Sequence, residues 1–502
     1  MGRIVDTMDR VTVSTANLRG IEALPVSVEI SLSGGIPGLT IVGMPDGAVL
    51  EARSRIRCAI ASCGFETPRL HVTVNLAPAD MKKSGTAFDL PIAAAILCAT
   101  GQVPIERLDG ALLFGELALD GTVRPVRGSI AYALLARELG LLPCSADDSC
   151  IAGENLPSWG LSSLRDLLGS RRPMSLELAR KVLQSVQPDA SGEMVDFADV
   201  ADQEIAKRVM VISATGKHGL LMVGPPGTGK TMLARRLPGI MPSLTDAERL
   251  ETMLIHSVCG LPSEGISKGV RPFRAPHHSA SMAGLLGGGR PVLPGEVSLA
   301  HKGVLFLDEM PEMSRNALQG LRQPLEEHEV RIVRVDGVYS FPCDFLLVAA
   351  ANPCPCGHLG DPGRDCKCSP SEVERYSGRI GGPLRDRIDL RIDVGRPSSR
   401  EVVRGGGGTS SDAMREMVQS GLLFREWRNA RSDNKNDLFE SFSEQAKRAL
   451  ESMAAGLCLG GRGIIRCASV ARTIADLAER ELVLPDDVAE ALAYRNRGGD
   501  SI

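Results

Sequence analysis

Aromatic side chains are scarce. Two Trp, four Tyr and eleven Phe make up 3% of the 502 residues, too few for wide platforms on which nucleic-acid bases stack. No excess of positive charge stands in for them. Lys and Arg number 57 against 61 Asp and Glu, a net charge of −4, so any basic surface has to be local. No apolar run reaches the roughly 18 residues of a membrane span. The opening stretch, MGRIVDTMDRVTVST, lacks the apolar core of a secretory signal. A cytoplasmic protein with no membrane partner is expected. Thirteen cysteines are too dilute for a disulfide scaffold, which leaves free or metal-bound thiols in a reducing compartment. The rest is ordinary for a globular chain: 43% hydrophobic and 24% charged. Its length corresponds to roughly three domains. Gly at 54 and Pro at 31 imply many tight turns.

Three regions follow from periodicity. In 1–175 short apolar strands alternate with amphipathic helices. Strands are expected at Val26–Leu32, Leu39–Val42 and His71–Leu76. Helices are expected at Ala48–Ser62 and Ala87–Thr100, and a second strand–helix unit at Ala111–Gly140. A linker at 176–194 follows, in which Leu176–Val186 could be helical. Region 195–404 carries buried apolar runs at Leu220–Val223, Val304–Leu307 and Phe345–Ala350, the pattern of a parallel α/β sheet covered on both faces. The glycine-rich 405–411 is a connector, and 412–502 reads as helical, most clearly at Ala446–Gly456 and Ala468–Leu482.

The strongest motif is Gly224-Pro225-Pro226-Gly227-Thr228-Gly229-Lys230-Thr231, between an apolar strand and a helix. This is the G-x-x-x-x-G-K-[ST] phosphate loop in its proper context. Backbone N–H groups and the helix N-terminus cradle the phosphates of ATP. Lys230 reaches the β- and γ-phosphates, and Thr231 binds Mg²⁺. Some 80 residues on, the run Gly303–Leu307 ends in Asp308-Glu309. An acid at the end of a buried strand is delivered to the carboxyl edge of the sheet. Asp308 would complete the Mg²⁺ shell and Glu309 would polarise the attacking water; the competing reading is a solvated strand end. Phe345–Ala351 ends in Asn352, either a sensor of the γ-phosphate and water or a turn former before Pro353.

These motifs and the residues between them resemble the Mg-chelatase-like AAA+ ATPases, specifically the ComM/YifB family. The resemblance rests on FRAPHHSAS at 273–281, LLGGGRPVLPGEVSLAHKGVLFLDEMPEMSR at 285–315, AANPCPCGHLGDPGRDCKC at 350–368, GGPLRDRIDLRIDV at 381–394 and ARTIADLAER at 471–480. It extends to IVGMPDGAVLEARSRIRCAI and GELALDGTVRPVRG near the N-terminus. The resemblance implies a Lon-protease-like α+β domain, an AAA+ core and a C-terminal helical lid. It also implies a nucleotide-dependent ring, expected to be a hexamer. It gives Arg387 the place of an arginine finger working on a neighbouring subunit, and Arg462 that of the sensor-2 arginine, although the surrounding Gly460-Gly461 departs from the family's run. Either arginine could instead form a surface ion pair. The hairpin signalled by Asp336-Gly337 corresponds to one that faces the pore in AAA+ relatives. Arg331 and Arg334 beside it would then touch DNA phosphates, or be solvated arginines on an edge hairpin. Ala275–Gly289, with His277 and His278, fits a second pore insertion, a metal pair or simple caps.

Cys354, Cys356, Cys366 and Cys368 lie within fifteen residues. They are either a structural Zn²⁺ site or free, redox-labile thiols. The other nine cysteines are expected in the core. The Lon-like part should not be a protease. Ala87 falls where the serine nucleophile would be, and the stretch Arg127–Tyr132 offers no lysine; Ser84 is the one alternative if the register is shifted. The function implied by the resemblance is ATP-driven DNA translocation and branch migration during natural transformation. A magnesium-chelatase ATPase subunit and an ATP-dependent scaffold are the rivals.

Overall fold

The computed structural model describes residues 11–146, 158–169, 195–335, 337–361, 363–385, 387–398, 408–431, 438–457 and 459–495. The 176–194 linker and residues 405–407 of the 405–411 connector lie outside them. The chain divides into two compact units. One is Met1–Asp189 with Leu250–Lys268, the other Ala190–Arg249 with Gly269–Ile502.

The first unit is built on a seven-stranded mixed sheet. Its strands are Val11–Arg19 (β1), Glu22–Ser33 (β2), Gly38–Val42 (β3), His71–Ala77 (β4), Ala111–Leu113 (β5), Leu142–Ala146 (β6) and Trp159–Leu161 (β7), in the order β3-β4-β2-β1-β5-β6-β7. β1 and β2 pair antiparallel, while β5, β6 and β7 run parallel to one another. Gly47–Ser62 (α1) starts where Asp46 caps the N–H of Val49 at 3.0 Å. Asp89–Ala99 (α2) has almost no polar face and is buried from Asp89 to Cys98. Its single charge is paired: Arg55 grips the fully buried Asp89 carboxylate at 2.7 and 3.1 Å. Ser129–Glu138 (α3) packs over the sheet.

The second unit follows the buried-run pattern closely. Its core is a five-stranded, all-parallel sheet made of Leu220–Val223 (β8), Phe273–Arg274 (β9), Val304–Leu307 (β10), Leu346–Ala351 (β11) and Leu390–Asp393 (β12), in the order β9-β10-β11-β8-β12. β10 and β11 are buried at every position, as strands sandwiched between helical layers are. The expected hairpin forms as Glu329–Arg334 against Gly337–Pro342; Asp336 at its tip lies outside the described residues. The helices Ser411–Arg431, Glu444–Gly456, Gly461–Leu477 and Pro485–Ala493 share one apolar core with the sheet, where Met414, Leu450, Ala471 and Ile474 join Leu220, Val348 and Leu390.

A buried cation ties these helices together. Arg472 is 5% exposed, pairs with Asp476 at 3.0 Å and donates to the carbonyl of Glu481 at 2.7 Å. Arg428 grips both oxygens of the same carboxylate, at 3.0 and 3.1 Å. Breaking one arm of such a pair strands charge in the core. Arg472→Ala is therefore expected to lower unfolding stability by about 3 kcal/mol. Chemical denaturation followed by circular dichroism checks this; an unchanged midpoint would show that Arg428 alone satisfies Asp476.

Candidate active site

The carboxyl ends of β8, β10 and β11 bring three sequence-distant motifs together. β8 runs into the loop Gly224–Gly229, and the helix Lys230–Ile240 begins at once. Gly229 caps this helix at φ +90°, a conformation that side chains other than glycine rarely adopt. Lys230 is buried within the loop. Its Nζ donates to the carbonyls of Gly224 at 2.6 Å and Pro225 at 2.9 Å, and lies 3.5 Å from Asn352 Oδ1 at the end of β11. Burial pushes the Lys230 ammonium below its ordinary value, and Asp308 and Glu309 oppose that shift. Thr231 Oγ1 donates to Asp308 Oδ2 at 2.8 Å. Two neighbouring ligands on an octahedral Mg²⁺ at about 2.1 Å would be about 3 Å apart, so this hydroxyl–carboxylate pair fits that ion. Glu309 has φ +48°, and its carboxylate is half exposed, 3.4 Å from His278 Nδ1.

Arg387 is elsewhere. Its carbonyl oxygen would lie 3.3 Å from a Cβ on Gly219, the residue before β8, and the N–H of Asp389 donates to Gly219 O at 3.0 Å. Arg387 thus occupies the amino edge of the sheet and the phosphate loop the carboxyl edge. The four residues of β8 between them span about 13 Å. The Arg387 side chain pairs with Glu326. Burial and the nearby cations Arg466 and Arg462 push its guanidinium below its ordinary value. Arg462 is exposed at the start of the helix Gly461–Leu477, and Arg466, one turn on, reaches Asp389 at 2.8 Å.

The other candidates fall out as follows. Arg331 and Arg334 are exposed on the hairpin, Arg331 paired with Glu329 at 2.7 Å. Val333, Val335 and Val338 beside them are also exposed. The rings of His277 and His278 lie 4.1 Å apart. Among the described residues the metal-ligand cluster of three or more groups is the four cysteines, and it includes neither histidine. Ala87 is buried in an apolar cluster with Phe114 and Tyr132, whose rings stack at 4.6 Å. The two stretches that would have to carry a protease dyad therefore meet in hydrocarbon. Ser84 is fixed through its N–H to Asn17 Oδ1 at 3.0 Å, and Lys83 is buried with its ammonium on the carbonyl of Pro78.

The four cysteines converge. Cys354 Sγ lies 3.4 Å from Cys356 Sγ and 3.6 Å from Cys366 Sγ, and Cys356 and Cys366 are 3.7 Å apart. All four sulfurs are within 4.8 Å of one another. Tetrahedral thiolates at about 2.3 Å from Zn²⁺ would be about 3.8 Å apart. Backbone N–H groups point at the sulfurs, from Leu359 to Cys354 and from Cys368 to Cys366, both at 3.4 Å. The N–H groups of His358 and Lys367 bring the Cys356 thiol down to about 6. Burial and the neighbouring sulfurs push the Cys366 and Cys368 thiols up, so it is the convergence of four sulfurs that fits a thiophilic metal. Of the other nine cysteines, Cys63, Cys98, Cys144, Cys343 and Cys467 are buried as expected. Cys259 is half-buried and Cys58 is exposed, because Cys58 falls on the face of α1 opposite Val49, Ala52, Ile56 and Ala59. Cys150 and Cys458 lie outside the described residues.

His278, Glu326 and Arg466 were not reached by sequence reasoning as partners of the site. Only Arg466 carried a local signal, since four residues after Arg462 it shares a helical face.

Comparisons with known proteins identify the relatives of this chain. Family models described as "Magnesium chelatase, subunit ChlI", "Subunit ChlI of Mg-chelatase" and "Magnesium chelatase, subunit ChlI C-terminal" match residues 196–402, 28–143 and 408–495. The chain is 40% identical over 490 residues to the competence protein ComM of Haemophilus influenzae, covering 95% of each chain. It is 38% identical over 506 residues to the uncharacterized protein YifB of Escherichia coli, covering 96% of each. A magnesium-chelatase 67 kDa subunit of Chlorobaculum parvum is 26% identical over 162 residues, 32% of this chain and 24% of the relative.

Proposed function

Because this chain belongs to the ComM/YifB family of Mg-chelatase-like AAA+ ATPases, we propose that it is a cytoplasmic ring motor, a nucleotide-dependent hexamer that hydrolyses ATP to move along DNA. The observation that carries this reading is the separation of Arg387 from the phosphate loop, at opposite edges of one sheet. A site made of Lys230, Thr231, Asp308, Glu309 and Asn352 gains its transition-state cation from a second copy. The triphosphate enters the loop, and its anionic oxygens replace the carbonyls now held by Lys230. Thr231 and Asp308 would hold Mg²⁺, which would neutralise charge on the β- and γ-phosphates. Glu309 accepts a hydrogen bond from the attacking water and draws electron density onto its oxygen. Asn352 orients the γ-phosphate against Lys230. Arg387 of the neighbouring copy, with Arg462 beside it, meets the charge that builds on the transferring phosphoryl group. The N-terminal unit serves as a scaffold and not as a protease, consistent with the apolar surroundings of Ala87.

DNA is the proposed track, with branch migration during natural transformation as the role. The near-complete match to a competence protein supports this reading. The chelatase alternative draws on a match to only 32% of the chain. ATP turnover should rise severalfold with branched or single-stranded DNA. The double variant Arg331→Glu, Arg334→Glu should weaken DNA binding across all sequences and flatten the log–log salt dependence by about one unit per arginine. Titration of labelled DNA at several salt concentrations measures both. An ATPase indifferent to every DNA but stimulated by a porphyrin-binding protein would favour the chelatase. A slow ATPase indifferent to both would favour a scaffold.

We propose further that the four cysteines hold a structural Zn²⁺. Four thiolates leave no open coordination position, so this ion would take no part in the chemistry.

A further inference from the structure

The cysteine cluster is built directly onto the nucleotide site. Cys354 follows Asn352 by two residues and is fully buried. Its carbonyl accepts the N–H of Gly357 at 3.0 Å, closing a tight turn around Cys356. Gly357 has φ +81°, and a Cβ there would lie 2.9 Å from Pro226 Cδ and 4.0 Å from Asn352 Cγ. The turn's bare backbone therefore rests on the phosphate loop and on the amide that faces Lys230. Midway along the loop, Asp361 accepts from the N–H of Gly363 at 2.9 Å and from Arg396 at 2.8 Å. That anchor also touches the end of the turn, where the Asp361 N–H donates to the carbonyl of His358 at 3.1 Å and its carboxylate lies 3.4 Å from His358 Nδ1. The turn meets the second arm through Cys366 Sγ, 3.6 Å from Cys354 Sγ and 3.7 Å from Cys356 Sγ, and through the Lys367 N–H aimed at Cys356.

We propose that the four-cysteine centre, with zinc bound, is a positioning clamp for ATP: it seats Gly357 on Pro226 and Asn352, so nucleotide affinity and turnover depend on the metal. The inference rests on the ATPase and zinc readings above. The cysteines are not among the residues assigned to phosphate or Mg²⁺, and they act through the loop. When Cys354 and Cys356 share a ligand with Cys366 and Cys368, the turn has one conformation. Without that node the turn behind Asn352 and Pro226 is left to the His358–Asp361 contacts at one end, and a displacement of about 1 Å in an active site can cost about a hundredfold in rate.

The test uses the full chain and two variants. Zinc per chain is measured by elemental analysis, and exchange with Co²⁺ should give the charge-transfer bands of a tetrahedral thiolate site. Cys366→Ser, Cys368→Ser, remote from the phosphate loop in sequence, should lose the metal and weaken binding of a fluorescent ATP analogue by about tenfold or more. Gly357→Ala should keep the metal and its cobalt spectrum yet weaken nucleotide binding comparably, because its Cβ pushes on Pro226. A metal-free double variant that binds and hydrolyses ATP like wild type overturns the proposal. So does a neutral Gly357→Ala, or a wild-type chain that holds neither zinc nor cobalt. Should the double variant fail to fold by circular dichroism, Gly357→Ala alone decides. Lys230→Ala is the control that separates the premises. If it too leaves nucleotide binding intact, the ATPase reading has failed and not the clamp.

Discussion

Arg387→Ala is expected to lower ATP turnover by about 10³-fold or more while leaving nucleotide affinity within a factor of a few. The split follows from position. Arg387 sits at the amino edge of the sheet, on the side of Gly219, and pairs with Glu326. The phosphates would be cradled at the other edge by Gly224–Thr231. The loss should therefore fall on kcat and not on ground-state binding. Complementation provides the sharper measurement. Glu309→Gln chains lack the group that draws on the water but still present Arg387 to a neighbour. Arg387→Ala chains have the reverse defect. Mixed at varying ratios, the two inactive proteins should recover part of the wild-type rate, because some interfaces pair an intact Glu309 with an intact Arg387. Zero recovery at every ratio, with mixed assembly verified by differently tagged chains, would place the finger's partner within its own chain.

The second large effect is at Lys230. Lys230→Ala removes a buried ammonium held by two loop carbonyls and facing Asn352. Binding of ATP should weaken by at least about a hundredfold, and turnover should disappear. The cation compensates phosphate charge in a partly dry site, where Coulomb interactions are much stronger than in bulk water. Lys230→Arg should not rescue it. A planar guanidinium is larger than an ammonium and directs its donors differently. Calorimetry with a non-hydrolysable analogue measures the first effect and phosphate release the second. Wild-type affinity in Lys230→Ala would remove the basis for assigning the loop to phosphate.

Much of the catalytic edge was legible because its signals are local. The run Leu220–Val223, the glycine loop and the helix are contiguous, and the strands that deliver Asp308 and Asn352 are short, wholly apolar stretches ending in one polar residue. The all-parallel sheet follows from the same runs. β1 was not legible. Val11–Arg19 buries Thr15 and Asn17 along with Val13 and Ala16, so no clean alternation marks it, and its register comes from pairing with β2. The pairing of Arg387 with Glu326 and its crowding by Arg466 and Arg462 span some 60 to 80 residues and two different elements. Neither leaves a trace in any short window. The thiol quartet was visible as residues, but what speaks for a metal is the convergence of the four sulfurs, and this depends on dihedral angles that composition does not encode.

A donor on one flank and its target on the other give every protomer a front and a back. A two-fold pair could answer both sites at once only if Arg387 and the phosphate loop, at opposite edges of the sheet, met on one shared face. If Arg387 serves a neighbouring copy as proposed, the simpler arrangement is head to tail, as a closed circle or an open spiral, and in a spiral the last member waits unanswered. Such an assembly has a built-in sense of direction, which is what distinguishes a machine that travels along a polymer from one that merely holds it.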